Sequence, residues 1–307
     1  MSADLYFCHT VIMPELPEVE TVRRGLEQFI VGLTVVDTAH DTPKSFPNAE
    51  ADVNEFLINS TIVSVKRRAK VLMIELSTKY SLVIHLKMTG QLVYVNNVER
   101  FGAGHPNESL IGQLPDKSTR VTLTFADQSS LFFNDQRKFG WVRLIPTAEI
   151  VNLDFFKKVG PEPLNAEFTW QELHSRLQRR KNTSIKAAIL DQTVLAGIGN
   201  IYADESLWGA RIHPATLVKN VSATKIKLLF TAIQAVLTQS IAEGGSSDRN
   251  YVDAAGNRGQ YLKFANVFRR EGQPCNRCGT VIIKTRVATR GTHTCPKCQP
   301  EPKKLPV

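Results

Sequence analysis

The 307-residue chain contains no apolar run of the roughly 20 residues that a bilayer span requires. Its opening residues, MSADLYFCHTVI, lack the basic segment and sustained apolar core of an export signal. Both absences point to a cytoplasmic protein with no membrane role. Acidic residues are in deficit, with 29 Asp+Glu against 38 Lys+Arg and a formal net charge of +9. Such a balance favours a polyanionic partner, nucleic acid foremost, although an anionic membrane is attracted by the same charge. Cysteine is scarce: of five, Cys8 stands near the start and the other four fall within residues 275–298. In a reducing compartment that clustering suggests a metal rather than disulfides. There is no internal repeat and no legible coiled-coil seam, so a monomer is expected.

What is present describes an ordinary globular protein, 42% hydrophobic and 22% charged, which excludes a mostly disordered chain. A chain of this length exceeds what one core usually organises, so two or more domains are expected. Pro17 forbids an earlier helix start, after which Val19, Val22, Leu26 and Phe29 recur at helical spacing and predict an amphipathic helix over 18–30. The following segments IVSV, VLMIEL, LVIHLKM, QLVYV, RVTLTF and SLFFND are short and β-branched or aromatic, as antiparallel strands are. Residues 14–145 thus read as a β-sandwich with one N-terminal helix, interrupted by a mobile insertion over 99–118.

A composition shift after Pro146 predicts a linker over 146–165, containing VGPEPL. Thr169 with Glu172 forms a capping-box signal for a helix to about Arg180. Ile226, Phe230, Ile233 and Leu237 mark a long helix that Gly244 and Gly245 end. Residues 166–264 are therefore a helical domain, closed by the polar, aperiodic stretch GGSSDRNYVDAAGNRGQYLK, which reads as a surface loop able to contact a ligand. The whole is an α+β multidomain fold, with a C-terminal module over 265–301.

The strongest chemical signal is in that module. Cys275-x-x-Cys278 and Cys295-x-x-Cys298, with sixteen residues between the pairs, read as two knuckles that complete a tetrahedral four-thiolate Zn²⁺ site, with two dithiol redox motifs as the lesser alternative. With no open coordination position suggested, that one zinc is structural. The intervening GTVIIKTRVATRGTHT suits a two-stranded hairpin presenting Lys284, Arg286 and Arg290, which read equally as a device for touching phosphates and as ordinary solvated charges. LAGIGNIYADE, residues 195–205, offers two glycines for close backbone approach and Asn200 as a helix cap, though a plain helix-turn-helix corner explains them as well. RRAK (67–70) and NDQRKFG (134–140) put cations and Phe139 at strand ends, where they either bind a distorted nucleic acid or are ordinary solvated turns. His85, in an apolar strand, reads by default as a core or cleft histidine.

In this order, PELPEVETVRRGL, RRAK, HLKMTG, NDQRKFG, AGIGNIYADE and the four-cysteine module make a chain that strongly resembles the bacterial formamidopyrimidine-DNA glycosylases, over residues 13 to about 299. The resemblance implies an N-terminal β-sandwich, a helix-two-turn-helix domain and a zinc-finger hairpin, with damaged double-stranded DNA in the cleft between them. It implies base-excision repair of oxidised purines such as 8-oxoguanine, by a bifunctional glycosylase and AP lyase. The nucleophile is then the secondary amine of an N-terminal proline, which matches Pro14. Residues 1–13 are therefore expected to be absent from the working enzyme, with translation starting at Met13 and the methionine trimmed.

The family's other roles carry over position by position. Glu15 matches the general acid/base, Glu18 the second glutamate near the reacting centre, and Lys70 the lysine that reaches the lesion and its phosphate. Arg290 completes this catalytic set. With Lys284, His85 and Asn200 it also matches contacts that pinch the DNA backbone, while Met88, Arg137 and Phe139 match residues that enter the base stack. Arg249 stands in the loop near where a lysine is common, and Phe268 where a tyrosine is common. Two other readings stand beside this one: an endonuclease VIII-like enzyme for oxidised pyrimidines, and a non-catalytic binder of damaged DNA should the N-terminal extension be retained.

Overall fold

The structure is a computed structural model and describes residues 14–105, 108–246 and 260–302. Helix α1 (Leu16–Ile30) buries Val19, Val22, Leu26 and Ile30 along one stripe, while its opposite face ties Arg23 to Glu20 and Glu27 at 3.0 and 2.6 Å. It begins two residues before the predicted start. Pro17 is accommodated because the first turn of a helix has no intrahelical partner for its N–H groups.

Next come β1 (Val35–His40), α2 (Glu50–Phe56), β2 (Ile62–Arg68), β3 (Val71–Leu76), β4 (Tyr80–His85), β5 (Gly90–Val95), β6 (Arg100–Gly104), β7 (Thr119–Phe125), β8 (Ser130–Asp135) and β9 (Trp141–Pro146). They form two antiparallel sheets, ordered β1-β7-β8-β5-β6 and β2-β3-β4-β9. Val65, Ile74, Leu82 and Ile84 of one sheet share a core with Leu92, Phe101, Leu123 and Phe133 of the other. Helix α1 packs on β2 and β6 and also meets the second lobe.

Several elements differ from the sequence reading. The strand expected to run through LVIHLKM stops at His85, because Lys87 adopts a left-handed conformation (φ 52°) that turns the chain. The expected insertion over 99–118 contains β6, hydrogen-bonded to β5, and a short 3-10 turn, Glu108–Leu110. The linker contains α3 (Asp154–Lys158). β1, β9 and α2 are not among the segments singled out from the sequence.

The second lobe is built from α4 (Trp170–Gln178), α5 (Ile185–Leu190), α6 (Asn200–Gly209) and α7 (Ala223–Ala242). Thr169 caps α4 by accepting from Glu172 N–H, as its capping-box signal indicates. Gly244 and Gly245, at φ 71° and 88°, end α7. Helix α6 is buried from Ile201 to Leu207, at the centre of this lobe's own core. The chain then forms the hairpin β10 (Ile283–Val287) and β11 (Arg290–Thr294), which packs on α6.

Candidate active site and nucleic-acid interface

Everything at the centre of the molecule converges on the N-terminus of α6. The first turn of a helix exposes unpaired N–H groups and a positive dipole end. Here Gly199 is the N-cap and Asn200 the first helical residue, so Asn200 is not the cap that its type suggested. The capping oxygen arrives instead from 186 residues away, as Ile201 N–H donates to Glu15 Oε1 at 3.1 Å. A Cβ on Gly199 would fall on the Glu15 carboxyl, so glycine is required there by close approach. Gly197, at φ 80°, accepts from Leu16 N–H at 3.0 Å, and a Cβ on it would stand 2.6 Å from that of Leu16. The glycines of AGIG thus receive the PEL segment.

Glu15 is buried, and its Oε2 has no hydrogen-bond partner. Burial raises its pKa to about 7, with Lys70 pulling it down and Glu18 pushing it up. Pro14 precedes it directly and is buried. Glu18 lies beside Glu15 and is heavily hydrogen-bonded. Its Oε1 accepts from Ser246 N–H and Oγ, both at 2.8 Å, and from the Tyr202 hydroxyl; its Oε2 accepts from Glu15 N–H at 2.9 Å. This carboxylate organises the start of α1 and the chain leaving α7.

Lys70 sits in the two-residue turn between β2 and β3, where Ala69 takes φ 54°. Its buried Nζ donates to the Ile198 carbonyl at 3.1 Å. Burial holds this ammonium below its usual range, opposed by the attraction of Glu15 and Glu18. The neighbouring arginines are not free phosphate ligands. Arg67 pairs with Glu20 and Glu162, each at 3.0 Å, and Arg68 pairs with Glu162 at 3.2 Å. These bonds fasten the turn to the segment joining the lobes.

On the same lobe as Lys70, whose neighbour Val71 pairs with His85 across β3 and β4, the other sequence-predicted residues share one platform. His85 Nδ1 accepts from Lys87 N–H at 3.0 Å, leaving its Nε2 as the N–H donor of a neutral ring. Burial, with Lys87 and Lys70 nearby, lowers the His85 pKa to about 3. Arg137 lies over the Phe139 ring at 5.1 Å, and its Nη1 reaches Met88 Sδ at 3.1 Å. Phe139 is 51% exposed, a large apolar ring held out into solvent. Asp135, within a motif quoted for other residues, was missed. Its buried carboxylate accepts from the N–H groups of Arg137, Phe139 and Gly140 and from the Thr89 hydroxyl, locking both turns together.

The finger closes the third side. The four thiolates of Cys275, Cys278, Cys295 and Cys298 all lie within 4.8 Å of one another. Individual pairs stand 3.4, 3.5 and 4.0 Å apart. A tetrahedron with Zn–S bonds of about 2.3 Å has edges of about 3.8 Å, so the set fits zinc. The hairpin turn places Ala288 and Thr289 at φ 49° and 63°, a costly conformation for a β-branched residue and one that commonly marks functional turns. Beside it, Arg290 is exposed, and Asn200 Nδ2 donates to the Gly291 carbonyl at 3.0 Å. Lys284 is paired with Glu271 at 3.2 Å on the open surface.

The hairpin is held by a buried network that sequence reasoning also missed. Lys186 Nζ meets Asp204 Oδ1 at 2.6 Å and donates to Thr292 Oγ1 at 2.7 Å and the Gly291 carbonyl at 3.0 Å. Asp204 Oδ2 accepts from His293 N–H at 2.9 Å. His293 Nε2 lies 3.3 Å from Glu271 Oε2, too oblique for a hydrogen bond. Next to Asp204, Glu205 accepts from the N–H groups of Asn266, Val267 and Phe268 at 2.8–2.9 Å. Only the ADE of the glycine motif hinted at these anchors.

Together Glu15, Lys70, Asn200, Lys284, Arg286 and Arg290 line a cavity of about 540 Å³ whose wall also includes Phe268 and His293. The structure therefore brings Glu15 and Lys70 together with Asn200 and the finger residues around one cavity, with His85, Met88, Arg137 and Phe139 on the β-lobe. Arg249 lies outside the described residues.

Comparison with known proteins gives the same assignment along the chain. Residues 13–142 match the formamidopyrimidine-DNA glycosylase N-terminal domain, 159–251 the formamidopyrimidine-DNA glycosylase H2TH domain, and 272–300 the zinc finger found in FPG and IleRS. Formamidopyrimidine-DNA glycosylase of Herpetosiphon aurantiacus is 42% identical over 298 residues, covering 94% of this chain and 100% of the relative. That of Bacillus cereus strain ZK / E33L is 39% identical over 290 residues, covering 94% and 99%. The complex of Lactococcus lactis Fpg with abasic-site DNA superposes with TM-score 0.81 at 36% identity, covering 94% of this chain and 100% of that one. MutM bound to DNA containing carbocyclic 8-oxo-G gives TM-score 0.80 at 35% identity, with the same coverage. The four cysteines thus constitute an Fpg-type zinc finger holding one structural zinc. Among the described residues no helix is long and apolar enough to cross a membrane.

Proposed function

Because the chain belongs to the formamidopyrimidine-DNA glycosylase family, we propose that it excises oxidised purines from duplex DNA and cleaves the strand at the resulting abasic site. Substrates of this class are 8-oxoguanine and formamidopyrimidines, both present in DNA bound to related proteins. We infer that it acts in the cytoplasm, at the nucleoid, where a DNA substrate is found.

The observation that carries this reading is the Glu15 carboxyl. It is buried next to Pro14, anchored through one oxygen at a helix N-terminus, uncommitted at the other, and set beside a cavity rich in cations. With its pKa near 7 it exists in both protonation states at neutral pH, as a proton shuttle requires. The working form carries Pro14 as its first residue, since a peptide-bonded proline nitrogen has no basic lone pair. The neutral amine attacks C1′ of the damaged nucleotide, the N-glycosidic bond breaks as the base leaves with its electron pair, and the proton lost from the attached ammonium neutralises the departing base. Glu15 protonates O4′ as the C1′–O4′ bond breaks, and the nitrogen lone pair forms the iminium. That cation acidifies the C2′ proton, whose loss expels the 3′ phosphate and cleaves the strand.

Arg290, Asn200, Lys284 and His85 grip the phosphates around the damaged nucleotide, neutral His85 as an Nε2–H donor. Met88, Arg137 and Phe139 fill the stack vacated by the flipped base, offsetting an unstacking cost of a few kcal/mol. The zinc closes the finger that presents Arg290. A Lactococcus lactis Fpg has been crystallised with oxidised-pyrimidine DNA, which supports a secondary substrate class of that kind.

The test is release of free base from an 8-oxoguanine:cytosine duplex by protein beginning at Pro14, measured by mass spectrometry alongside strand nicking. Base release that disappears in Glu15→Gln supports the reading. Tight binding without release would identify a non-catalytic reader of damage.

A further inference from the structure

Gln192 lies between α5 and the glycine turn, where it caught no attention in the sequence. Its amide makes three hydrogen bonds: Nε2 donates to the Leu190 carbonyl at 3.0 Å and to the Ile198 carbonyl at 2.8 Å, and Oε1 accepts from Gly197 N–H at 2.9 Å. One side chain thereby spans the end of α5 and both ends of the Gly197–Ile198 dipeptide. Its own carbonyl is fixed by Gly160 N–H at 2.7 Å. It also lines the cavity.

The held carbonyl matters because it has a second donor. Ile198 O accepts from Lys70 Nζ at 3.1 Å, so Gln192 and Lys70 meet on one oxygen. A carbonyl has two lone pairs, and the Gln192 amide occupies one while orienting the other at the ammonium. Lys70 stands on a two-residue hairpin turn with four rotatable side-chain bonds, and a buried ammonium on so flexible a stem needs a fixed acceptor to hold its place.

We propose that Gln192 is a positioning residue for Lys70, acting through the Ile198 carbonyl to hold the ammonium where it meets the damaged nucleotide. The proposal rests on the glycosylase reading above. An amide at position 192 supplies donors for two carbonyls and an acceptor for one N–H. Methionine fills the same volume without these bonds, and isosteric glutamate would face both carbonyls with an acceptor.

A double-mutant cycle tests it. Single-turnover base release from an 8-oxoguanine:cytosine duplex is followed over hours for wild type, Gln192→Met, Lys70→Ala and the double variant. Melting temperature and affinity for a tetrahydrofuran-site duplex are measured in parallel. Gln192→Met should slow release about tenfold or more when Lys70 is present and change the Lys70→Ala rate by less than about twofold. Equal slowing in both backgrounds, or none in either, overturns the proposal. Should Gln192→Met fail to fold, Gln192→Glu enters the same cycle with the same expectations. An active wild type with additive variants sinks this inference alone, whereas a wild type that releases no base sinks the glycosylase reading as well.

Discussion

Gly199 lets the Glu15 carboxyl occupy the volume in which any side chain at position 199 would stand. The two residues are far apart in sequence, yet each fixes what the other can be: the carboxylate caps α6 because the glycine leaves room.

Gly199→Ala should therefore displace Glu15 and slow base release by about a hundredfold or more, the usual range for losing a positioned acid/base. It should also cost about 1–3 kcal/mol by overpacking. Gly291→Ala is the control, since a Cβ there meets only Lys284 Cε at 3.7 Å. Single-turnover kinetics and urea unfolding of both variants check this; equal behaviour of the two would contradict it.

Glu15 also gives a pH signature. Its folded pKa of about 7 lies above its ordinary value of 4.5, so the folded state favours the protonated carboxyl. The associated stability is fully present below about pH 4.5 and is lost as pH rises through 7. Glu15→Gln cannot ionise, so it should gain in melting temperature relative to wild type between pH 5 and 8. A constant difference across that window would mean that Glu15 titrates normally.

Lys186 and Asp204 form an ion pair with both side chains 0% exposed. Removing one partner leaves a buried charge, and Lys186→Met should cost about 3–5 kcal/mol, largely restored by adding Asp204→Leu. Denaturant unfolding of the single and double variants decides it.

This pair also shows where sequence reading stops. The periodicity of Val19, Val22 and Leu26 reports local burial and disclosed α1, and two Cys-x-x-Cys knuckles disclosed the finger because ligand spacing is a local constraint. Lys186, Asp135 and Gln192 look like any polar residue in sequence, since their importance lies in partners brought near only by the fold. AGIG could be seen as a close-approach turn, but not that Glu15 was what approached. Asn200 resembled a cap by its type, yet the helix takes its cap from another lobe.

Removal of zinc, or Cys275→Ser, should unfold the hairpin that carries Arg290 and weaken lesion-DNA affinity at least about tenfold while leaving the β-lobe folded. Metal content, near-UV circular dichroism and binding isotherms, all at one salt concentration, check it. Unchanged affinity after complete chelation would remove the finger from the interface.

The central claim is that the amine of Pro14 becomes bonded to the damaged sugar. Borohydride reduction during reaction with an 8-oxoguanine:cytosine duplex, followed by peptide mapping of the trapped species, addresses it most directly. The account predicts a stable adduct carried on Pro14 and absent from Pro14→Gly. An adduct on Lys70, or no adduct while base is still released, would contradict it.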